Sequence, residues 1–319
     1  MSSHGDEPET HGQEKERIVV IMGATGTGKT KLSVELAAEF SGEVINSDKT
    51  QVYRGDLDIV TNKISAEEKC GVPHHLLDVL DPSAGEMSAS EFQALASQAI
   101  RDIAARGGVP IVVGGSNSFV FALLTGSCDP QRYASLEQPL VEEEELRYDG
   151  CFIWLHVDAE VLTESLDRRI DQMLERGLVE ELDRYFATEE GSKDQHSGLG
   201  QAIGVPEFRA YFTGEEDGRT EEAFAAALAA MKANTRELME KQVKKIEQLA
   251  SLGWQLLRVD ATAVVAAKLA GEPDAAVAEA LERDVVQPSK AAVARFLSIE
   301  KQQIKRRRRR AFQLAVIVN

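Results

Sequence analysis

The sequence predicts an α/β chain, a parallel sheet flanked by helices with a smaller helical domain, and three observations carry that prediction. Short apolar runs at residues 17–23 (RIVVIMG), 109–115 (VPIVVGG) and 151–158 (CFIWLHVD) each fit one buried strand. Segments with apolar residues at helical spacing alternate with them, as a sheet covered on both faces requires. Glycines close the first two runs, at Gly23 and at Gly114 and Gly115, on the edge where an open parallel sheet binds ligands.

Taken in order, residues 1–16 are polar and are expected to be disordered. The first strand runs into GATGTGKT, after which TKLSVELAAEF places Leu32, Leu36 and Phe40 on one helical face. GEVIN is a second short strand. ASEFQALASQAIRDIAARG reads as a helix ended by Gly107, and the strand at 109–115 follows. CFIWLHVD is a fourth strand and GWQLLRVD a fifth. From Val161 to about Gly253 long helices take over, with Phe224, Leu228, Met231, Leu238, Ile246 and Leu249 as an apolar stripe. The division this suggests is a core at 17–160, a mainly helical substrate-binding part at 161–253, a strand and helices returning to the core at 254–300, and a basic and apolar tail at 301–319.

Composition narrows the function classes. The 319 residues are 43% hydrophobic and 28% charged, ordinary for a globular chain with a real core. Net charge is −17 even with the six cations of Lys305–Arg310, and so acidic a body repels polyanions, against broad nucleic-acid binding. Cys70, Cys128 and Cys151 stand apart, which builds neither a disulfide framework nor a Cys/His zinc module. No apolar run approaches the roughly 20 residues that span a bilayer. The N-terminal stretch lacks the apolar segment of a secretory signal and is too acidic for a transit peptide. The expectation is an intracellular protein, cytoplasmic, or plastidic if a transit peptide has been removed.

Gly23, Gly28, Lys29 and Thr30 satisfy G-x4-G-K-[ST] between a strand and a helix, so the core is expected to be P-loop NTPase-like. The loop residues Gly23, Ala24, Gly26, Thr27, Gly28, Lys29 and Thr30 would surround a phosphate chain with inward amides, a helix N-terminus and one ammonium. The Thr30 hydroxyl is placed to ligate Mg²⁺. Kinases, NTPases and enzymes with a diphosphate leaving group all need this cradle. The strand at 109–115 lacks the terminal acid of a Walker-type ATPase, which disfavours a motor or switch.

Asp48 lies just past the carboxyl end of GEVIN, where an aspartate can orient a substrate, take a proton from a nucleophile, or cap a turn. Asn46 and Ser47 beside it either contact a base or position the carboxylate. Ser116 and Asn117 follow another strand end and are candidate substrate contacts. His74 and His75 lack a partner at metal spacing and read as structural. Arg147, Arg168 and Arg169 are either phosphate contacts or solvated helix charges.

The string NSDKTQVYRGDLDIVTNK, GVPHHLLDVLDP, VVGGSNSFVFALL, RYDGCFIWLHVD, LDRRIDQMLERGLVEEL, AIGVPEF, TRELMEKQVKKIEQL and QPSKAAVARFL resembles the isopentenyltransferase family over residues 17–297. GGSNSF and AIGVPEF look most like its plant adenylate branch; tRNA dimethylallyltransferases form the related branch. The resemblance implies that the Gly-rich loop holds the diphosphate of dimethylallyl diphosphate, the prenyl donor. It implies Asp48 as the general base on adenine N6, Thr25 near the bridging oxygen of the leaving group, and Arg236 as a further cation there. A carboxylate of pKa roughly 4 is ionised at neutral pH and can take the N6 proton. Lys49, Thr50 and Gln51 then mark the nucleotide side, with AMP, ADP or ATP as acceptor and Mg²⁺ as cofactor. The alternatives are the same transfer to tRNA adenosine and a P-loop small-molecule kinase. One departure stands out: GLGQ, Gly198–Gln201, replaces a basic pair frequent in relatives, which would leave Lys232, Lys241 or Lys244 to grip the nucleotide phosphates.

Overall fold

A computed structural model describes residues 15–55, 57–134, 145–192, 198–214 and 219–298. The expected N-terminal disorder and the basic tail fall almost entirely outside the described residues. Strand and helix alternate as β1 (Arg17–Met22), α1 (Lys29–Phe40), β2 (Gly42–Asn46), β3 (His74–His75), α2 (Ala89–Ala105), β4 (Val109–Val113), α3 (Asn117–Thr125), α4 (Pro130–Ala134) and β5 (Asp149–His156). The chain continues through α5 (Ala159–Glu175), α6 (Leu178–Phe186), α7 (Glu189–Ser192), α8 (Val205–Thr213) and α9 (Glu221–Ser251). It then returns through β6 (Leu256–Asp260), α10 (Thr262–Leu269) and α11 (Asp274–Leu281), a π-helical stretch at Glu282–Val286 and a helix over 287–298.

The six strands form one parallel sheet in the order β3-β2-β4-β1-β5-β6. Alternation along each strand divides the core between the two faces. Ile18, Val20, Met22 and Val112 pack with Phe92, Ile100 and Phe119 on one face, whereas Val19, Ile21, Val44 and Ile111 pack with Leu32, Leu36 and Val264 on the other. The edge strand β3 was not expected, because two residues are too few to show a period. It forms because Val44 and Ile45 of β2 pair with His74 and His75, and His75 Nε2 lies 2.6 Å from the Glu43 carboxylate.

Helix α9 has 31 residues and is therefore about 46 Å long, enough to run past the whole carboxyl edge of the sheet. Its buried line is Ala227, Met231, Met239, Gln242, Ile246 and Leu249. Leu238, expected in that line, is 38% exposed because it lies about 100° around the helix from Met239. Among the described residues, no helix is long and apolar enough to cross a membrane.

Candidate active site

A cleft of about 600 Å³ opens at the carboxyl ends of β1, β2 and β4 and is roofed by α5 and α9. Thr25 lies at its floor, Asp48, Lys49 and Thr50 along one wall, and Gly115, Ser116 and Asn117 along the next. That volume falls in the range that holds a small-molecule ligand.

The Gly-rich loop curls between β1 and α1. Gly26 has φ 82, and a Cβ there would lie 2.7 Å from the Leu166 side chain, so glycine alone lets α5 press onto the loop. Thr27 Oγ1 and Lys29 Nζ donate to the Ala24 carbonyl at 2.9 and 2.7 Å. Burial pushes the Lys29 ammonium down to about 8; the Asp48 carboxylate opposes that shift and Arg169 adds to it. The three charges thus sense one another across the cleft floor.

Asp48 is held by its own turn. Its Oδ1 accepts from Thr50 N at 2.9 Å and Thr50 Oγ1 at 2.8 Å, while its amide donates to Asn46 Oδ1 at 3.2 Å. Oδ2 makes no hydrogen bond among the described residues and stays available on the cleft side. Ser116 Oγ accepts from Lys49 N at 3.0 Å, which ties this turn to the end of β4.

Several sequence candidates sit elsewhere. The Asn46 amide is committed to the Leu76 carbonyl at 2.9 Å, and Ser47 is fully buried against Gly114. Gln51 donates to Thr61 O and Asn62 O at 3.1 and 3.3 Å, stitching a loop rather than lining the cleft. Arg236 is gripped by Asp167 of α5, through Nε at 3.0 Å and through Nη2, outside the cleft lining; Thr235 and Leu238 line it instead. Lys232 is paired with Asp171 at 2.5 Å. Of the lysines named as replacements for the missing basic pair, Lys241 and Lys244 do reach the cleft. Gly198–Gln201 forms one 3-10 turn whose Gln201 Nε2 meets Glu86 at the mouth, 3.3 Å away.

The structure brings in residues that the sequence left open, Arg169, or did not name as site groups, Gln242, Lys245 and Tyr133. Arg169, one of the three arginines left open between phosphate contact and helix charge, is half-buried and donates from Nη1 to Thr25 Oγ1 at 3.2 Å. Arg168 turns away to the Leu269 carbonyl and Arg147 to that of Leu123. Gln242 joins the loop to the β4–α3 turn; its polarity within the apolar register of α9 was the signal that could have found it. Lys245 and Tyr133 close the far end, with the ammonium 5.0 Å from the ring centre.

The sequence profile of the IPP transferase family matches this chain over residues 51–145 and 131–248. An adenylate isopentenyltransferase of Humulus lupulus is 45% identical over 294 residues, covering 87% of this chain and 89% of that protein. Adenylate isopentenyltransferase 1, chloroplastic, of Arabidopsis thaliana is 43% identical, covering 89% and 82% of the two chains. Among solved structures, a eukaryotic dimethylallyltransferase acting on tRNA superposes with TM-score 0.66 at 26% identity over 81% of this chain and 80% of its own. The tRNA isopentenylpyrophosphate transferase of Bacillus halodurans does so with TM-score 0.66 at 29% identity, over 90% of this chain and 100% of its own.

Proposed function

Because the chain belongs to the IPP transferase family, we propose that it is an adenylate isopentenyltransferase, moving a dimethylallyl group from dimethylallyl diphosphate to N6 of AMP, ADP or ATP. The observation that carries this is the meeting, in one cleft, of an open carboxylate oxygen on Asp48 with Thr25 and the Arg169 guanidinium, close enough to the Lys29 ammonium of the loop for their charges to interact. A phosphoryl transferase can use the same pair, so the choice of prenyl transfer over phosphorylation rests on the adenylate isopentenyltransferases to which this chain is similar.

Adenine N6 is a weak nucleophile, its lone pair delocalised into the ring. As N6 attacks C1 of the donor, Asp48 Oδ2 takes the N6 proton, the C1–O bond breaks, and its electron pair leaves with the diphosphate. Negative charge then grows on the bridging oxygen. Lys29, Arg169 and the Thr25 hydroxyl are fixed around the loop before the reaction, so they stabilise that charge without reorganising. The apolar wall of Leu166, Ile170 and Met231 suits a prenyl chain. Lys49, Lys241 and Lys244 line the outer part of the cleft, where they suit the phosphates of a free nucleotide.

Magnesium fits these residues as a guest of the diphosphate. A small hard dication keeps several waters and takes one or two protein oxygens. Thr30, exposed at the first turn of α1, is the protein oxygen on offer, which leaves Asp48 free to act as the base. Mg²⁺ would neutralise the leaving group. We further place the enzyme inside the cell; the Arabidopsis relative above carries "chloroplastic" in its name.

Labelled dimethylallyl diphosphate supplied with Mg²⁺ and, separately, AMP, ADP, ATP and unmodified tRNA tests the proposal. Label on a free nucleotide is expected. Label confined to tRNA, or none at all, would overturn it.

A further inference from the structure

We propose that Gln242 is a positioning residue for this transfer: its carboxamide clips α9 to the Gly-rich loop and the β4–α3 turn at once, and so sets how Thr25 faces the leaving group. The inference rests on the functional reading above. Gln242 Oε1 accepts from Thr25 N at 2.8 Å, and its Nε2 donates to Gly115 O at 2.9 Å. The helix's own carbonyl at Gln242 accepts from Asn117 Nδ2 at 3.2 Å, a third tie at the same level. A backbone N–H can only donate and a backbone C=O can only accept, so these two partners dictate which end of the carboxamide faces which.

Packing does not require this residue. Position 242 sits between Met239 and Ile246 in the buried line of α9, where an aliphatic side chain would fill the space. A buried carboxamide is tolerated there only because both ends are satisfied. Its consequence lies in the loop. The Thr25 amide is taken up by Gln242, and the Thr25 hydroxyl lies on the cleft side, where it meets Arg169. Gly115 is the matching half of the device: a Cβ on it would lie 2.5 Å from Gln242 Nε2 and expel the clip.

Two near-isosteric variants separate positioning from packing. Gln242→Met fills the volume with neither hydrogen bond. Gln242→Glu accepts from Thr25 as a carboxylate but repels the Gly115 carbonyl; as a carboxylic acid it restores both contacts. With both substrates saturating, single-turnover rates divided by the wild-type rate at each pH cancel the titration of the catalytic base. Gln242→Met is expected to lose about tenfold at every pH, the effect of one such contact. Gln242→Glu is expected to match that loss at alkaline pH and recover about fivefold or more toward pH 5, as its carboxyl takes up a proton. Backbone amide exchange at residues 24–27 is expected to accelerate in Gln242→Met.

Gly115→Ala attacks the clip from its other side and is expected to lower the rate similarly, which covers a Gln242 variant that fails to fold. Wild-type rates in Gln242→Met, or a Gln242→Glu deficit without pH dependence, would overturn the proposal. Unchanged amide exchange in a transfer-competent enzyme would overturn the clip alone, whereas a wild-type chain that transfers no prenyl group would overturn the functional reading beneath it.

Discussion

Arg169 and Thr25 meet across 144 positions of sequence, the guanidinium Nη1 donating to the threonine hydroxyl at 3.2 Å. A half-buried arginine on α5 thereby becomes part of the Gly-rich loop, and the cation at the loop is double rather than single. Burial lowers the Arg169 pKa and the Asp48 carboxylate opposes that shift, yet a guanidinium remains charged throughout the working pH range.

Arg169→Met should therefore lower kcat by about 10²–10³-fold, the usual cost of removing one preorganised donor from a developing anion. The acceptor KM should stay within about threefold, because the arginine meets the donor end of the cleft. Steady-state kinetics with each substrate varied in turn checks this.

Asp48→Asn keeps the shape of the turn and an oxygen for the Thr50 contacts but cannot take a proton. Transfer should fall by about 10²–10⁴-fold, the ordinary contribution of a general base. Calorimetry should find diphosphate affinity within about threefold of the wild type. Near-normal turnover would remove Asp48 as the base.

Lys29 gives the pH dependence. With its pKa down at about 8, the free loop loses its ammonium as pH rises through that value. A bound diphosphate favours the charged form, so between about pH 8 and pH 10 donor binding should take up a proton and weaken steadily. Titration calorimetry in buffers of different ionisation enthalpy measures the proton count. Lys29→Met should abolish the uptake and bind the donor weakly at every pH.

Glu181 of α6 holds the loop that carries Val60 and Thr61 into the cleft, its two oxygens accepting from Ile59 N and Val60 N at 2.8 Å each. In Glu181→Gln one of those N–H groups faces an NH₂. The variant should lose about 1–3 kcal/mol of stability, the cost of a buried donor left unpaired, read from denaturant unfolding. Burial raises the Glu181 pKa and the two backbone hydrogen bonds oppose it. A carboxyl raised in the folded state loses stabilisation as pH climbs from about 4.5 through its folded value. The gap between wild type and Glu181→Gln should therefore narrow with rising pH across that window.

Much of the fold could be read without coordinates. The strands at β1, β2, β4 and β5 announce themselves as apolar runs, and the Gly-rich loop lies where strand meets helix. The edge strand β3 could not be read, since two histidines carry no periodicity and pair only because β2 presents an open edge. Asn46, Ser47 and Gln51 show the limit of adjacency: they flank Asp48 in sequence, yet their hydrogen bonds or burial turn them away from the cleft. Side chains along an extended stretch alternate direction, so neighbours of a site residue need not share its face.

Local signals alone determined the sheet, the phosphate loop and the place of Asp48 at a strand's carboxyl end, because strand period, turn glycines and helix starts are written within a few residues. Which of three arginines turns inward, whether Arg236 or Arg169 attends the loop, and that a glutamine of α9 touches Thr25 were decided only by tertiary structure. Those choices depend on how α5 and α9 rotate against the sheet, and a rotation of one residue, about 100°, exchanges a cleft group for a surface one. That rotation is set by the packing of the whole core, a sum over contacts far apart in the chain.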